Sequence, residues 1–226
     1  MTDSKKDVER RPVPGRENTV SQSVMRWLIR LRVTPNTISI LSMIFAIGAG
    51  ICMAATAYSQ GIAVRVLWFA ASALILLRMW ANLLDGMVAF ASGQRSPLGD
   101  VLNEVPDRIS DTVILVGAGF AAGSSAHLGY IAALVAMFVA YLRSFGNFLG
   151  VEHLFIGPFS KPYRMMVLTV TGLYLALTPA GWQPVHIFSG WGLPAFALAI
   201  IILGSAWTAI RRLARIIDVV TNRPGH

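Results

Sequence analysis

The sequence predicts an all-α membrane protein in which six spanning helices follow an amphipathic helix lying in the membrane interface. Three observations predict it. The chain of 226 residues is 55% hydrophobic and only 13% charged, with a mean hydropathy of +0.61, too apolar for an ordinary soluble domain. Apolar runs near the length of about 20 residues that a helix needs to cross the hydrocarbon core recur between breakers. When those runs are threaded back and forth, every Lys and Arg except Arg65 falls on one side, the pattern of cytoplasmic loops.

Residues 1–20 carry Lys5, Lys6, Arg10, Arg11 and Arg16 with two prolines and no apolar periodicity, and read as a flexible cytosolic tail without a signal peptide. From Ser21 to Leu31, Val24, Trp27, Leu28 and Leu31 share one face and Arg26 and Arg30 another, which predicts the interfacial helix. Pro35 ends that run, because the residue before a proline is disfavoured as helix. The expected spans are Thr37 to Ala57, Val64 to Leu84, Val101 to Ala122, Leu128 to Phe148, Tyr163 to Thr178 and Leu193 to Ala209. The third begins among acids, and the fifth is short. Residues 21–216 read as one membrane domain and 217–226 as a second cytosolic tail, with both termini in the cytoplasm of a bacterial-type inner membrane. Trp182, Trp191 and Trp207 suit an aromatic belt, and Arg211, Arg212 and Arg215 an anchor near anionic lipid.

The net charge of +8 follows the membrane rather than a stripe suited to nucleic acid, so no nucleic-acid partner is expected. One cysteine, Cys52, excludes an internal disulfide and reads as a small apolar filler. The histidines His127, His153, His186 and His226 are scattered and offer no zinc spacing.

Between Asn82 and Asp111 lie five of the 11 acidic residues: Asp85, Asp100, Glu104, Asp107 and Asp111. Carboxylates at membrane depth cost several kcal/mol unless they face a cavity, pair or bind an ion, so the cluster reads as functional. Asn82 and Asp85 are three apart and Asn103 and Asp107 four apart, so each pair shares a helix face and two helix ends can converge. Oxygen donors of this kind suit a hard divalent cation, Mg or Mn, which usually keeps water or substrate phosphate in its shell. Gly86, directly after Asp85, is a candidate for close ligand approach, whereas Gly93 reads as a turn or packing glycine. Glu104 shares a stripe with Asp100, Asp107 and Asp111, and reads equally as a ligand of a shifted metal site or as a solvated acid. Arg143 lies inside the fourth span, where an arginine calls for a polar cavity. With Lys161 and Arg164, which open the fifth span, it could bind an acceptor phosphate or a lipid headgroup; snorkelling to the interface is the alternative, preferred for Lys161 but not for Arg143.

The run from Asn82 to Asp107 resembles the signature of the CDP-alcohol phosphotransferases, D-x2-D-G-x2-A-R-x8-G-x3-D-x3-D. Asp85, Gly86, Ala89, Gly99 and Asp107 match, whereas Asn82, Phe90 and Asn103 replace two aspartates and an arginine. The Pro35-Asn36 opening of the first span, the amphipathic helix and the six-span pattern are also similar. The resemblance implies transfer of a phosphatidyl group from a CDP-linked donor, CDP-diacylglycerol foremost, to an alcohol with release of CMP in phospholipid synthesis. It implies metal ligands at Asp85, Asn82, Asn103 and Asp107, with Glu104 as a reserve ligand, and Asp107 as the base. Donor or acceptor contacts are implied at Gly86, Ala89, Gly99, Asn36, Arg95 and Arg143, with an acceptor that can itself carry phosphate. Membrane lipid is a partner, and a homodimer is compatible with the resemblance. The rival reading is a relative that kept the fold and lipid or nucleotide binding but lost transfer, because two carboxylates have become amides. A transporter is disfavoured because the polar residues gather at one end.

Overall fold

The computed structural model describes residues 18–91, 97–151, 156–157, 159–184 and 190–222, with residues 97–103 described by backbone alone. Among them are seven α-helices and no β-strand. They are α1 (Thr19–Arg30), α2 (Pro35–Ala55), α3 (Ile62–Ala91), α4 (Pro97–Gly119), α5 (Ala126–Phe148), α6 (Lys161–Leu177) and α7 (Leu193–Thr221).

The starts follow local chemistry. Asn18 caps α1 by accepting from the Val20 N–H at 3.0 Å, and Thr34 caps α2 by accepting from the Thr37 N–H at 3.3 Å, with Pro35 at the first helical position. Pro162 and Pro194 occupy the first turns of α6 and α7, where a missing N–H costs nothing. Each expected span is recovered as a helix. The last runs 12 residues further, to Thr221, because Ile216 and Val219 pack on Val139, Leu142 and Val151.

The six-span expectation is met only in part. α2 with its trailing turn, α3, α5 and α7 are long and apolar enough to cross a membrane. α6 has 17 residues, a rise of about 25 Å, and α4 carries Glu104, Asp107, Arg108 and Asp111 along its N-terminal two-thirds. The interfacial helix also differs in detail. Val24 and Leu28 pack, with Met25 and Ile29, against a cluster built from Ile38, Ala81 and Leu84, while Trp27 and Leu31 stay exposed. Trp80 of α3 ties down α1 through Nε1, which donates to Ser21 Oγ at 3.2 Å.

α2 packs on α3 and α4, α3 on α6, α4 on α5, and α5 and α6 on α7. Small residues set these crossings. A Cβ on Gly117 would sit 2.5 Å from the Gly50 Cα, and one on Gly119 would sit 2.7 Å from the Gly129 Cα, so α4 meets α2 and α5 backbone to backbone. The core between them is rich in alanine, with Ala46, Ala49, Ala71, Ala118 and Ala132 buried beside Ile75, Ile114 and Leu115. Successive helices alternate in direction, so the ends of α3 and α5 meet the starts of α2, α4 and α6. At the opposite end Arg65 donates from Nε to the Ala176 carbonyl at 2.8 Å and from Nη2 to the Leu177 carbonyl at 3.1 Å, closing the C-terminus of α6.

Candidate active site

Polar side chains converge at the end of the bundle where α2, α4 and α6 begin. On α3, Arg78, Asn82 and Asp85 fall at i, i+4 and i+7 and so share one face. α4 presents Asp107 and Asp111 one turn apart, and α6 presents Lys161 and Arg164 from its first turn.

Asp107 is the hub. Its Oδ1 accepts from Asn82 Nδ2 at 2.8 Å and lies 3.5 Å from Arg78 Nη2, and its Oδ2 lies 2.6 Å from Lys161 Nζ. Lys161 Nζ also donates to Asn82 Oδ1 at 2.7 Å. Asn82 therefore donates to a carboxylate with one end of its amide and accepts from an ammonium with the other. One turn deeper, Asp111 is gripped by two arginines, Arg78 Nη2 on Oδ1 at 2.8 Å and Arg164 Nη2 on Oδ2 at 3.0 Å. Arg78 and Arg164 are 0% and 2% exposed, so this is a buried ion triad, and removing its shared anion would strand two cations. Arg164 further donates from Nη1 to the Phe159 carbonyl at 3.1 Å.

Asp85 is set differently. It is 2% exposed; Ser39 of α2 donates to Oδ2 at 2.9 Å, and Oδ1 has no hydrogen-bond partner among the described residues. A buried carboxylate oxygen left without a donor is costly. Gly86 stands next to it, and among the described residues no atom lies within 4 Å of where a Cβ would be. Ala89, one turn on, is partly buried, and Phe90, where the signature has arginine, is 59% exposed.

Among the described residues no three His, Cys, Asp or Glu side chains gather as metal ligands, and the donor set fits a divalent cation at one point alone. Asp85 Oδ1 suits it, since magnesium is commonly held by one or two carboxylates plus substrate phosphate. Asn82 and Asp107 do not fit, because their oxygens already receive Lys161 and, at Asp107, Asn82 and Arg78. A dication 4 Å from an ammonium is repelled by about 8 kcal/mol at an effective dielectric of about 20.

The other expected residues sort as follows. Glu104 points its carboxylate at cations, accepting from Arg143 Nη2 at 3.1 Å on each oxygen and from Arg108 Nε at 3.0 Å. It is thus engaged in an ion triad of its own, neither free for a shifted metal nor solvated alone. Arg143, read from sequence as needing a polar partner, has one in Glu104. Asn36 is exposed in the first turn of α2. Gly99 and Asn103 belong to α4, but their side chains, like all of Arg95 and Gly93, lie outside the described residues.

Sequence reasoning missed two participants, Arg78 and Ser39, and preferred snorkelling for Lys161, which instead lies between Asn82 and Asp107. Arg78 was legible as the residue one turn before Asn82 on the same face, and Ser39 as a small hydroxyl one turn after Pro35. Neither spacing reveals its partner, because the partners lie on other helices.

No family model matches the chain. The inner membrane protein YnbA of Escherichia coli (strain K12) is 30% identical over 200 residues, which cover 84% of this chain and 90% of YnbA. Among solved structures, phosphatidylinositol phosphate synthase PgsA1 of Mycobacterium tuberculosis in complex with manganese and citrate superposes with a TM-score of 0.70 at 17% identity, covering 91% of this chain and 93% of that one. The same synthase with CDP-DAG bound gives a TM-score of 0.71 at 16% identity, covering 92% and 100%. The chain belongs to the family of the inner membrane protein YnbA and has the fold of phosphatidylinositol phosphate synthase PgsA1, a CDP-alcohol phosphotransferase.

Proposed function

We propose that the chain transfers a phosphatidyl group from CDP-diacylglycerol to an alcohol, releasing CMP, as a step of phospholipid synthesis. The observation that carries this reading is the unpartnered, buried Asp85 Oδ1 beside Gly86, with Asp107 of α4 bonded to Asn82 on the same face of α3. The fold shared with a synthase that binds CDP-DAG supports the choice of donor. So does an apolar cleft of about 230 Å³ between α1, α2 and α3, lined by Leu28, Thr37, Phe45, Leu77, Trp80 and Leu84, which runs from this end of the bundle and suits an acyl chain.

In this reading the acceptor hydroxyl attacks the phosphorus that carries diacylglycerol, the bond to the CMP oxygen breaks, and CMP leaves with the electron pair. Asp107 takes the hydroxyl proton at Oδ1 or Oδ2, which requires one of its present donors to give way. Lys161 and Arg78, released in part from Asp107, face the negative charge that builds on the phosphoryl oxygens. Asp85 would hold magnesium or manganese arriving with the donor, which would neutralise charge on the pyrophosphate. Arg108 and Arg143 stand ready for an acceptor phosphate if Glu104 is displaced, and Arg95 and Asn36 are assigned to donor contacts. We place this site on the cytoplasmic side of a six-span domain comprising residues 21–216, with α4 and α6 crossing the bilayer as packed partners of the four longer helices.

A second reading, a relative that binds a CDP-lipid without transfer, is favoured by one observation: both Asp107 oxygens are already engaged. The deciding experiment is CMP release from CDP-diacylglycerol by purified protein in lipid, with magnesium or manganese and a panel of acceptor alcohols. Release with one acceptor class supports transfer. Binding of CDP-diacylglycerol with no release for any acceptor supports the second reading.

A further inference from the structure

The cluster poses a charge problem that a four-carboxylate metal site does not. At Asp107 two neighbours are fixed cations, Lys161 and Arg78, and the third is the neutral amide of Asn82. An ammonium hydrogen-bonded at 2.6 Å to Asp107 Oδ2 and at 2.7 Å to Asn82 Oδ1 occupies the oxygens that would face a metal ion there. The amide at position 82 is what this arrangement needs. Its oxygen accepts from Lys161 while its N–H donates to Asp107, and an ionised carboxylate has no proton to donate.

We propose that Lys161 is the site's built-in cation: its ammonium stands between Asn82 and Asp107 in place of a divalent metal, so the chain binds no metal at Asp107 and at most one, at Asp85. The inference deepens the proposed function by naming what holds the substrate's negative charge on the α4 side. It does not depend on turnover. Lys161 is anchored for the task, because it opens α6 directly after Ser160, and one turn later Arg164 locks that helix onto Asp111. A flexible side chain on a fixed stem gives a point charge that shifts between Asp107 and a phosphate without leaving the site.

The test is a Mn2+ titration of the detergent-solubilised full-length protein, free Mn2+ being read by electron paramagnetic resonance without nucleotide or acceptor. Wild type and Lys161→Arg are expected to bind no Mn2+ or a single ion, with any binding lost in Asp85→Asn and unchanged in Asp107→Asn. The pair Asn82→Asp with Lys161→Met is expected to gain an ion that wild type lacks, or to bind Mn2+ about tenfold tighter or more. Two Mn2+ ions on the wild-type chain, or an ion lost in Asp107→Asn, would overturn the proposal. So would a double variant that is folded by circular dichroism yet binds as wild type does. Where the double variant does not fold, wild-type stoichiometry and its response to Asp85→Asn and Asp107→Asn decide alone. Absence of CMP release in the separate assay bears on the proposed function and leaves this count untouched.

Discussion

At the scale of single residues, the site is governed by which side chains satisfy which charges. Asp111 holds Arg78 and Arg164 in a nearly dry interior, so Asp111→Ala leaves two buried cations facing each other. Breaking such a group costs about 3–5 kcal/mol, and a lowered midpoint of thermal unfolding in detergent is the expected result. Asn82→Leu removes two hydrogen bonds to charged partners, each worth about 1.5–3 kcal/mol, and is also expected to lower that midpoint, though less than their sum because Lys161 can turn fully to Asp107. Asp107→Asn is expected to reduce CMP release by about a hundredfold or more while CDP-diacylglycerol affinity holds, as removal of a general base does. An unchanged rate would take Asp107 out of that role. Asn82, Asp85 and Asp107 could be read from spacing, since residues three and four apart share a helix face. Lys161 could not, because a lysine at a helix start satisfies the snorkelling pattern equally well until its partners are seen. Glu104 shows the same limit from the other side. Its stripe with Asp107 is real, but Arg108 one turn on, and Arg143 across from it, engage its carboxylate first.

Helices, rather than side chains, decide how close the polar ends can come. α4 is drawn against α2 at Gly50 and Gly117, and against α5 at Gly119 and Gly129, so that its middle delivers Asp107 and Asp111 to α3 and α6. Gly117→Leu has no space at that crossing and must spread the two helices. A loss of about 2 kcal/mol or more is expected, overpacking of a tight core being the cause, and it should appear as a lowered unfolding midpoint together with weaker CDP-diacylglycerol binding. Gly86→Ala is the matched control: its Cβ meets no atom of the described residues, so stability is expected to hold and any effect should fall on donor binding. Pro106, inside α4, removes one backbone N–H from its hydrogen-bond ladder directly beside Asp107. Helix positions were legible almost throughout, because apolar run length and proline starts are local signals. The extension of α7 to Thr221 was not, since it depends on Ile216 and Val219 finding α5.

For the molecule as a whole, alternating helix directions collect the charged ends of α3, α4, α5 and α6 on one face of the bundle and leave Arg65 to close the other. Basic-residue asymmetry indicated this face from sequence, and the structure gives it a content that composition alone lacks: Arg78, Arg108, Arg143, Lys161 and Arg164 are spoken for by Asp107, Asp111 and Glu104. The proposed topology is checked by single cysteines placed in a Cys52→Ala background. Positions at 94 and 152 are expected to react with an impermeant thiol reagent from the cytoplasmic side, and positions at 124 and 181 from the opposite side. Labelling of 94 and 124 from the same side would contradict a membrane-crossing α4. A CDP-activated lipid is expected to engage this one polar end, with its pyrophosphate at Asp85 and Lys161. An experimental structure of the protein in lipid with CDP-diacylglycerol and manganese tests this most directly. The pyrophosphate is expected beside Asp85 with Lys161 Nζ in its reach and no manganese between Asn82 and Asp107. A nucleotide bound away from α3 and α4, or a metal seated on Asp107 with Lys161 turned outward, would contradict it.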